Sequence, residues 1–287
     1  MTAPAAVVPE VTAVVPRRGV RWRPGLWAAG AFVALVLLAS AFPGLLAPEA
    51  PDAADALRAL QAPGGAHLFG TDANGRDVLS RVIHGARPSL LAGVGATALA
   101  LVSGTLLGLL AALGGRAADE IVMRLMDVVL SLPSLLLALV VLTVTGPGPL
   151  PSVLAIALYT MPIYARLVRV QANVVRRSVY VEAAVSLGLR PSRVVLRHVL
   201  PNAFAPLVVL TTIEVGAAMV AASSLSYLGF GPKPPAPEWG AMLAAGQQYF
   251  AIAWWMAVFP GLAITATVLA ITAVGRALQQ RSEGRPA

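Results

Sequence analysis

The sequence predicts an all-α membrane protein with six transmembrane helices. Three observations carry this. Of the 287 residues, 57% are hydrophobic and only 12% charged, far too little charge to cover the surface of a soluble domain. The mean hydropathy is +0.77. The apolar residues also fall into runs of about 20, which at roughly 1.5 Å per residue cross a hydrocarbon core of about 30 Å.

The amino-terminal tail, residues 1–25, is rich in Pro and Ala and ends in Arg17, Arg18, Arg21 and Arg23. A first span covers 26–46. Ala39-Ser40-Ala41 has the form of a signal-peptide cleavage site, but the apolar run continues past it, so a retained span is expected. Residues 47–88 read as an external loop of mixed charge. A core of five further spans then occupies 89–275. The second span, Ser89–Leu113, carries Gly104 and Gly108 at the spacing that lets helices approach closely. The third, from about Ile121 to Thr145, contains Pro133, and Gly146-Pro147-Gly148-Pro149 forms the turn after it. The fourth starts near Leu150 and runs into a basic stretch, the fifth covers Ala203–Leu228, and the sixth runs from about Ala251 to Ala273. Residues 276–287 form a short tail.

The basic stretch, Arg166–Pro201, holds seven arginines (Arg166, Arg169, Arg176, Arg177, Arg190, Arg193, Arg197) against one acid, Glu182. Residues from about Val174 to Leu187 favour helix. Gly188 suits a C-terminal cap, Pro191 the first turn of a new helix, and Pro201 its end. Two short helices joined by a tight turn, a knob for a partner, are therefore expected within about 173–201. Arg166, Arg169, Arg176 and Arg177 are expected to hold the loop against anionic lipid. Placing the amino terminus inside puts 16 of the 21 basic residues on the cytoplasmic side. Both termini are then cytoplasmic, because Lys and Arg beside spans resist translocation. Topology thus accounts for a pI near 10.9, and nucleic acid is not an expected partner.

Catalytic chemistry is missing. Lys233 is the only lysine and lies in a loop, so no phosphate-cradling Gly-rich loop with its Lys can be built. His67, His84 and His198 lie outside the expected spans, cysteine is absent, and neither a metal site nor a cofactor is expected. The chain reads as a non-enzyme: a pore, a transporter or a scaffold. Glu214 is the one acid deep in an expected span. It either faces cargo on a translocation path or is hydrogen-bonded between helices.

Glu182-Ala183-Ala184, three residues, Gly188, and then Leu200-Pro201 resemble the signature of permease subunits of binding-protein-dependent ABC importers. Within that family, four segments are similar to permeases of the dipeptide, oligopeptide and nickel group. They are His67–Leu90, Arg124–Leu137, Leu225–Leu243 and the W-x-x-x-F-P-G-L-A-I run from Trp255. Two departures are Ala222, where relatives often carry an acid, and Arg276 after Gly275, where an acid is again common. The resemblance implies a type I ABC importer permease fold with an extra N-terminal span, in a bacterial or archaeal cytoplasmic membrane. It implies a second permease subunit, two cytoplasmic ATP-binding subunits and an extracytoplasmic solute-binding protein as partners. Glu182, Ala183, Ala184, Gly188, Arg190, Arg193, Arg197, Leu200 and Pro201 would form the ATPase-coupling loop, with di- or oligopeptides as cargo. A nickel chelate or an opine is the alternative cargo. An ion-coupled secondary transporter is the alternative class.

Overall fold

A computed structural model describes residues 24–179, 181, 186 and 200–282. Among these residues the protein is built from helices. They are α1 (Pro24–Ala41), α2 (Val78–Leu113), α3 (Gly115–Ser131), α4 (Ser134–Thr145), α5 (Pro149–Arg176), α6 (Leu200–Leu225), α7 (Trp239–Gln247) and α8 (Trp255–Ser282). A one-turn helix, Pro43–Leu46, follows α1, and α6 runs on into a π-helical turn, Ser226–Phe230.

Four helices, α1, α2, α5 and α8, and the segment Leu210–Phe230 are long and apolar enough to cross a membrane. The expected third span is broken. Its two halves, α3 and α4, meet at 96°. Pro133 has no N–H to continue the helix and forces Leu132 before it into an extended conformation (φ −93°, ψ 139°). The pair nevertheless joins opposite ends of the bundle. The α2 end, at Ala112, packs against Ala172 and Val175 near the end of α5. At the other end, Gly148 N and Ser152 Oγ, where α5 begins, donate to the Phe230 carbonyl at 3.1 and 3.2 Å. Together α3 and α4 thus make the sixth, broken, span.

Close approach is set by small residues. A Cβ on Gly104 would lie 2.6 Å from the Tyr164 Cβ and 2.7 Å from the Met161 carbonyl oxygen. A Cβ on Gly108 would lie 2.8 Å from the Val168 Cβ. The small-residue spacing is therefore the seam between α2 and α5. Around it, Ala100, Ala157, Tyr164, Val168 and Leu207 form one buried cluster, while Ala96, Ala138, Leu142, Ile156 and Ala222 tie α4 to α2, α5 and α6.

Helix α2 begins at Val78, inside the stretch expected to be loop. The Asp77 carboxylate caps it by accepting from Ser80 N at 2.7 Å. Pro88 removes one backbone bond, but Val78, Ala86 and Leu90 are buried on its two sides and hold the helix through it. The preceding polar segment is packed rather than loose. Asp72 accepts from Asn74 N, Arg76 N and Arg76 Nε at 2.7–3.0 Å. Arg81 donates to the carbonyls of Pro51 (2.9 Å) and Pro235 (3.2 Å), and Trp255 Nε1 to that of Thr71 (3.0 Å). With Phe69 stacked on Phe259 at 3.9 Å, this segment fastens α2 to α8 and to the loop before α7.

Candidate coupling and translocation site

Of the expected coupling residues, Glu182, Ala183, Ala184, Gly188, Arg190, Arg193 and Arg197 lie outside the described residues, so the two-helix knob does too. Leu200 and Pro201 form the first turn of α6, where proline is well tolerated because its missing N–H has no intrahelical partner. The root of the loop is described. Helix α5 continues through Val174 to Arg176, and Arg177 closes it with its N–H on the Val174 and Val175 carbonyls. Val174, expected to open the knob's first helix, thus belongs to α5.

The chain leaving α5 is fixed to the end of α2. Arg176 Nη1 donates to the Ala112 carbonyl, one of the four carbonyls that a helix C-terminus leaves without an internal partner. Ser178 Oγ donates to the Val175 carbonyl at 2.6 Å, and Val181 N to the Ser178 carbonyl at 3.0 Å. Val181 is buried with Val175, Ala172 and Ala112.

Two more loop arginines have protein partners where lipid was expected. Arg169 makes a two-pronged contact with Asp119 of α3 (Nε–Oδ1 2.5 Å, Nη2–Oδ2 2.6 Å), a geometry that suits a planar guanidinium. Arg166 Nη2 donates to Asp127 Oδ1 at 2.5 Å. Asp119 and Asp127 lie about 40–50 residues earlier in the chain, and only the α3–α5 crossing brings them alongside.

Glu214 lies in the second half of α6, half-buried, within electrostatic range of the Tyr159 and Tyr164 hydroxyls of α5. Tyr164 itself donates to Thr211 Oγ1 at 3.4 Å, one turn before Glu214. No hydrogen bond to the Glu214 carboxylate is present among the described residues.

A further residue, Glu238, organises the opposite end of the bundle. It is buried, and its two oxygens accept four hydrogen bonds. Oε1 takes Ser89 Oγ (3.2 Å) and Gly240 N (3.0 Å), and Oε2 takes Ala241 N (2.9 Å) and Ser226 Oγ. It caps α7 while pinning α2 and the π turn to it.

Comparison with known proteins decides the family. Residues 104–286 match the model described as binding-protein-dependent transport system inner membrane component. The chain belongs to this family. It is 41% identical over 243 residues to a probable D,D-dipeptide transport system permease protein, DdpC, of Escherichia coli strain K12, covering 85% of this chain and 82% of that one. It is 45% identical over 212 residues to the di/tripeptide transport system permease protein DppC of Pseudomonas aeruginosa, covering 74% and 70%. It is 40% identical over 253 residues to the glutathione transport system permease protein GsiD of Pectobacterium atrosepticum, covering 88% and 84%. Among solved structures, a chain of the inward-facing MetNI methionine ABC transporter superposes with a TM-score of 0.56 at 18% identity, over 70% of this chain and 95% of that one. At that identity the likeness concerns the fold. The fold is that of a type I ABC importer permease, to which α1 adds an N-terminal helix. This permease is a membrane transport subunit and not an enzyme.

Proposed function

We propose that this permease is the translocation subunit of an ATP-driven importer of di- or oligopeptides. It forms the path with a second permease subunit, receives cargo from an extracytoplasmic solute-binding protein, and is driven by two cytoplasmic ATP-binding subunits. Three relatives named for D,D-dipeptide, di/tripeptide and glutathione transport support the cargo class.

The observation that carries the mechanism is the root of the Glu182–Pro201 loop. A push on a coupling element moves the bundle only if the element is attached rigidly to it. Here the entering segment is fixed to the α2 carboxy-terminus through Arg176 and Val181, and the loop's last residues, Leu200 and Pro201, already belong to α6. A displacement of the loop therefore reaches α2, α5 and α6 together. In this reading Glu182, Ala183, Ala184, Gly188 and the arginines Arg190, Arg193 and Arg197 meet the ATPase, and both chain termini share its side of the membrane. Glu214, facing α5 from α6, is the candidate cargo contact.

The test is a pull-down of the tagged permease from solubilised membranes. The intact chain brings down two ATPases and a second permease. A Glu182→Lys, Gly188→Asp double variant keeps the permease partner and loses the ATPases. Co-purification of ATPases with both versions would remove the coupling role from this loop.

A further inference from the structure

The polar segment before α2 and the loop before α7 enclose a partly open cavity of about 90 Å³. Asp72, Arg76 and Arg81 line it together with Ala241 and Ala245 of α7. A water needs about 10–15 Å³ of such space, so there is room for several waters or for the end of one acidic side chain. The charges in the cavity do not balance. Asp72 Oδ1 accepts from Asn74 N and Arg76 N, while Oδ2 accepts from Arg76 Nε at 2.7 Å and faces Arg81 Nε at 3.6 Å. One carboxylate, fully engaged, thus serves two guanidinium groups. Arg81 is buried, and its Nη1 and Nη2 are taken by the uncharged carbonyls of Pro51 and Pro235. The Arg76 side chain is only 15% exposed, yet its Nη1 and Nη2 have no hydrogen-bond acceptor among the described residues.

The neighbouring acids do not supply the missing charge. Asp77 is occupied by His67 Nδ1 and Ser80 N, and Glu238 by its four donors. Asp52 comes within 3.9 Å of Arg81 Nη1, but its side chain is 58% exposed and does not line the cavity. A guanidinium taken out of bulk water is costly without a counter-charge, and its paired Nη groups match the two oxygens of a carboxylate. The cavity lies at the end of the bundle opposite the coupling loop. No residue of α5 or α6, which carry Tyr159, Tyr164 and Glu214, lines it. It therefore stands apart from the proposed cargo path, and the carboxylate it fits comes from another molecule on the outer face.

Resting on the importer reading above, we infer that this cavity is a socket for a carboxylate, an Asp or Glu side chain that the solute-binding protein inserts on docking. Arg76 is the residue that pairs with it. Arg81, tied to Pro51, Pro235 and Asp72, holds the walls of the socket together, and Ala245, exposed on α7, leaves its mouth clear.

The test measures binding of the labelled solute-binding protein to the assembled transporter in nanodiscs. Arg76→Gln keeps the length of the side chain and removes its charge, and is expected to weaken binding at least fivefold. Ala245→Glu sets a competing carboxylate at the mouth and should weaken it as much, whereas Ala245→Gln, of the same size but neutral, should stay within twofold of the unaltered transporter. A scan of the binding protein by Asp→Asn and Glu→Gln should find one change that weakens binding to the unaltered transporter but adds nothing to Arg76→Gln. Unchanged binding in Arg76→Gln and Ala245→Glu would overturn the inference. So would equal losses for Ala245→Glu and Ala245→Gln, the mark of crowding, or a scan in which every change adds to Arg76→Gln. Sodium acetate is compared with sodium chloride at equal ionic strength as the free carboxylate. If acetate raised the thermal transition of the unaltered transporter but not of Arg76→Gln, while both bound the binding protein equally, the socket would serve a small free carboxylate and the docking role would fall. Failure of the unaltered transporter to carry ATPases and to bind a solute-binding protein would sink the importer reading separately, before any variant is compared.

Discussion

At the scale of single residues, the buried carboxylate of Glu238 is the contact whose loss should cost most. It satisfies two backbone N–H groups at the start of α7 and two serine hydroxyls from α2 and the π turn. Glu238→Ala leaves these donors buried and unpaired, at about 1–3 kcal/mol for each group left unsatisfied. The expected outcome is a thermal transition of the purified transporter lowered by several degrees, with Glu238→Gln intermediate because its amide keeps one acceptor oxygen. Equal stability of the three proteins would show that water or rearrangement replaces the carboxylate. Glu214 differs in kind, being half-buried with no hydrogen bond to its carboxylate among the described residues. Glu214→Gln should leave assembly intact and change the ranking of competing peptides in uptake, most for those with a cationic side chain. An unchanged ranking would assign Glu214 to helix packing.

At the scale of elements, the α2–α5 seam is specified by two glycines. Gly108→Leu would push a side chain into the Val168 Cβ, and overpacking of this kind costs about 1–3 kcal/mol. The expected outcome is loss of monodisperse protein in size-exclusion chromatography, against little effect for Leu106→Ala on the exposed face of the same helix. This seam was legible in the sequence, since small residues four apart in an apolar helix have a direct packing meaning. So were five of the six spans, because length and hydropathy are local properties. The start of α2 was not. Pro88 and the charges from Asp77 to Arg87 look like a loop until Asp77 is seen capping the helix, with Val78 and Ala86 buried. The right-angle bend at Pro133 was hidden for a related reason. Proline marks a break, but packing of α4 against α5 and α6 sets the angle. Glu238 and the ion pairs of Arg166 and Arg169 join residues about 40 to 150 positions apart, and no local pattern announces such contacts. The coupling loop is an expectation of the family signature alone, and its residues from Glu182 to Arg197 lie outside those described, apart from Ser186.

At the scale of the whole molecule, the attachment of the loop to α2 separates two events that a single uptake measurement merges, ATPase docking and force transmission. In the proposed reading, docking would fall to residues near Glu182 and Gly188 and transmission to the root. Arg176→Ala removes the bond to the Ala112 carbonyl and leaves an α2 C-terminal carbonyl without its partner, but touches no residue proposed to meet the ATPase. The expected result is a transporter that still co-purifies with both ATPases and hydrolyses ATP at about its normal rate in proteoliposomes, while cargo accumulated per ATP falls about threefold or more. Arg176→Lys, whose ammonium can reach the same carbonyl without the planar fork, should recover part of the ratio. If hydrolysis and uptake fell in parallel, the root would matter only for docking, and the lever would lie wholly in the passage from the loop into α6. If neither fell, α2 would be a bystander, and motion would pass from α5 to α3 through the Arg169–Asp119 pair, making Asp119→Asn the uncoupling substitution.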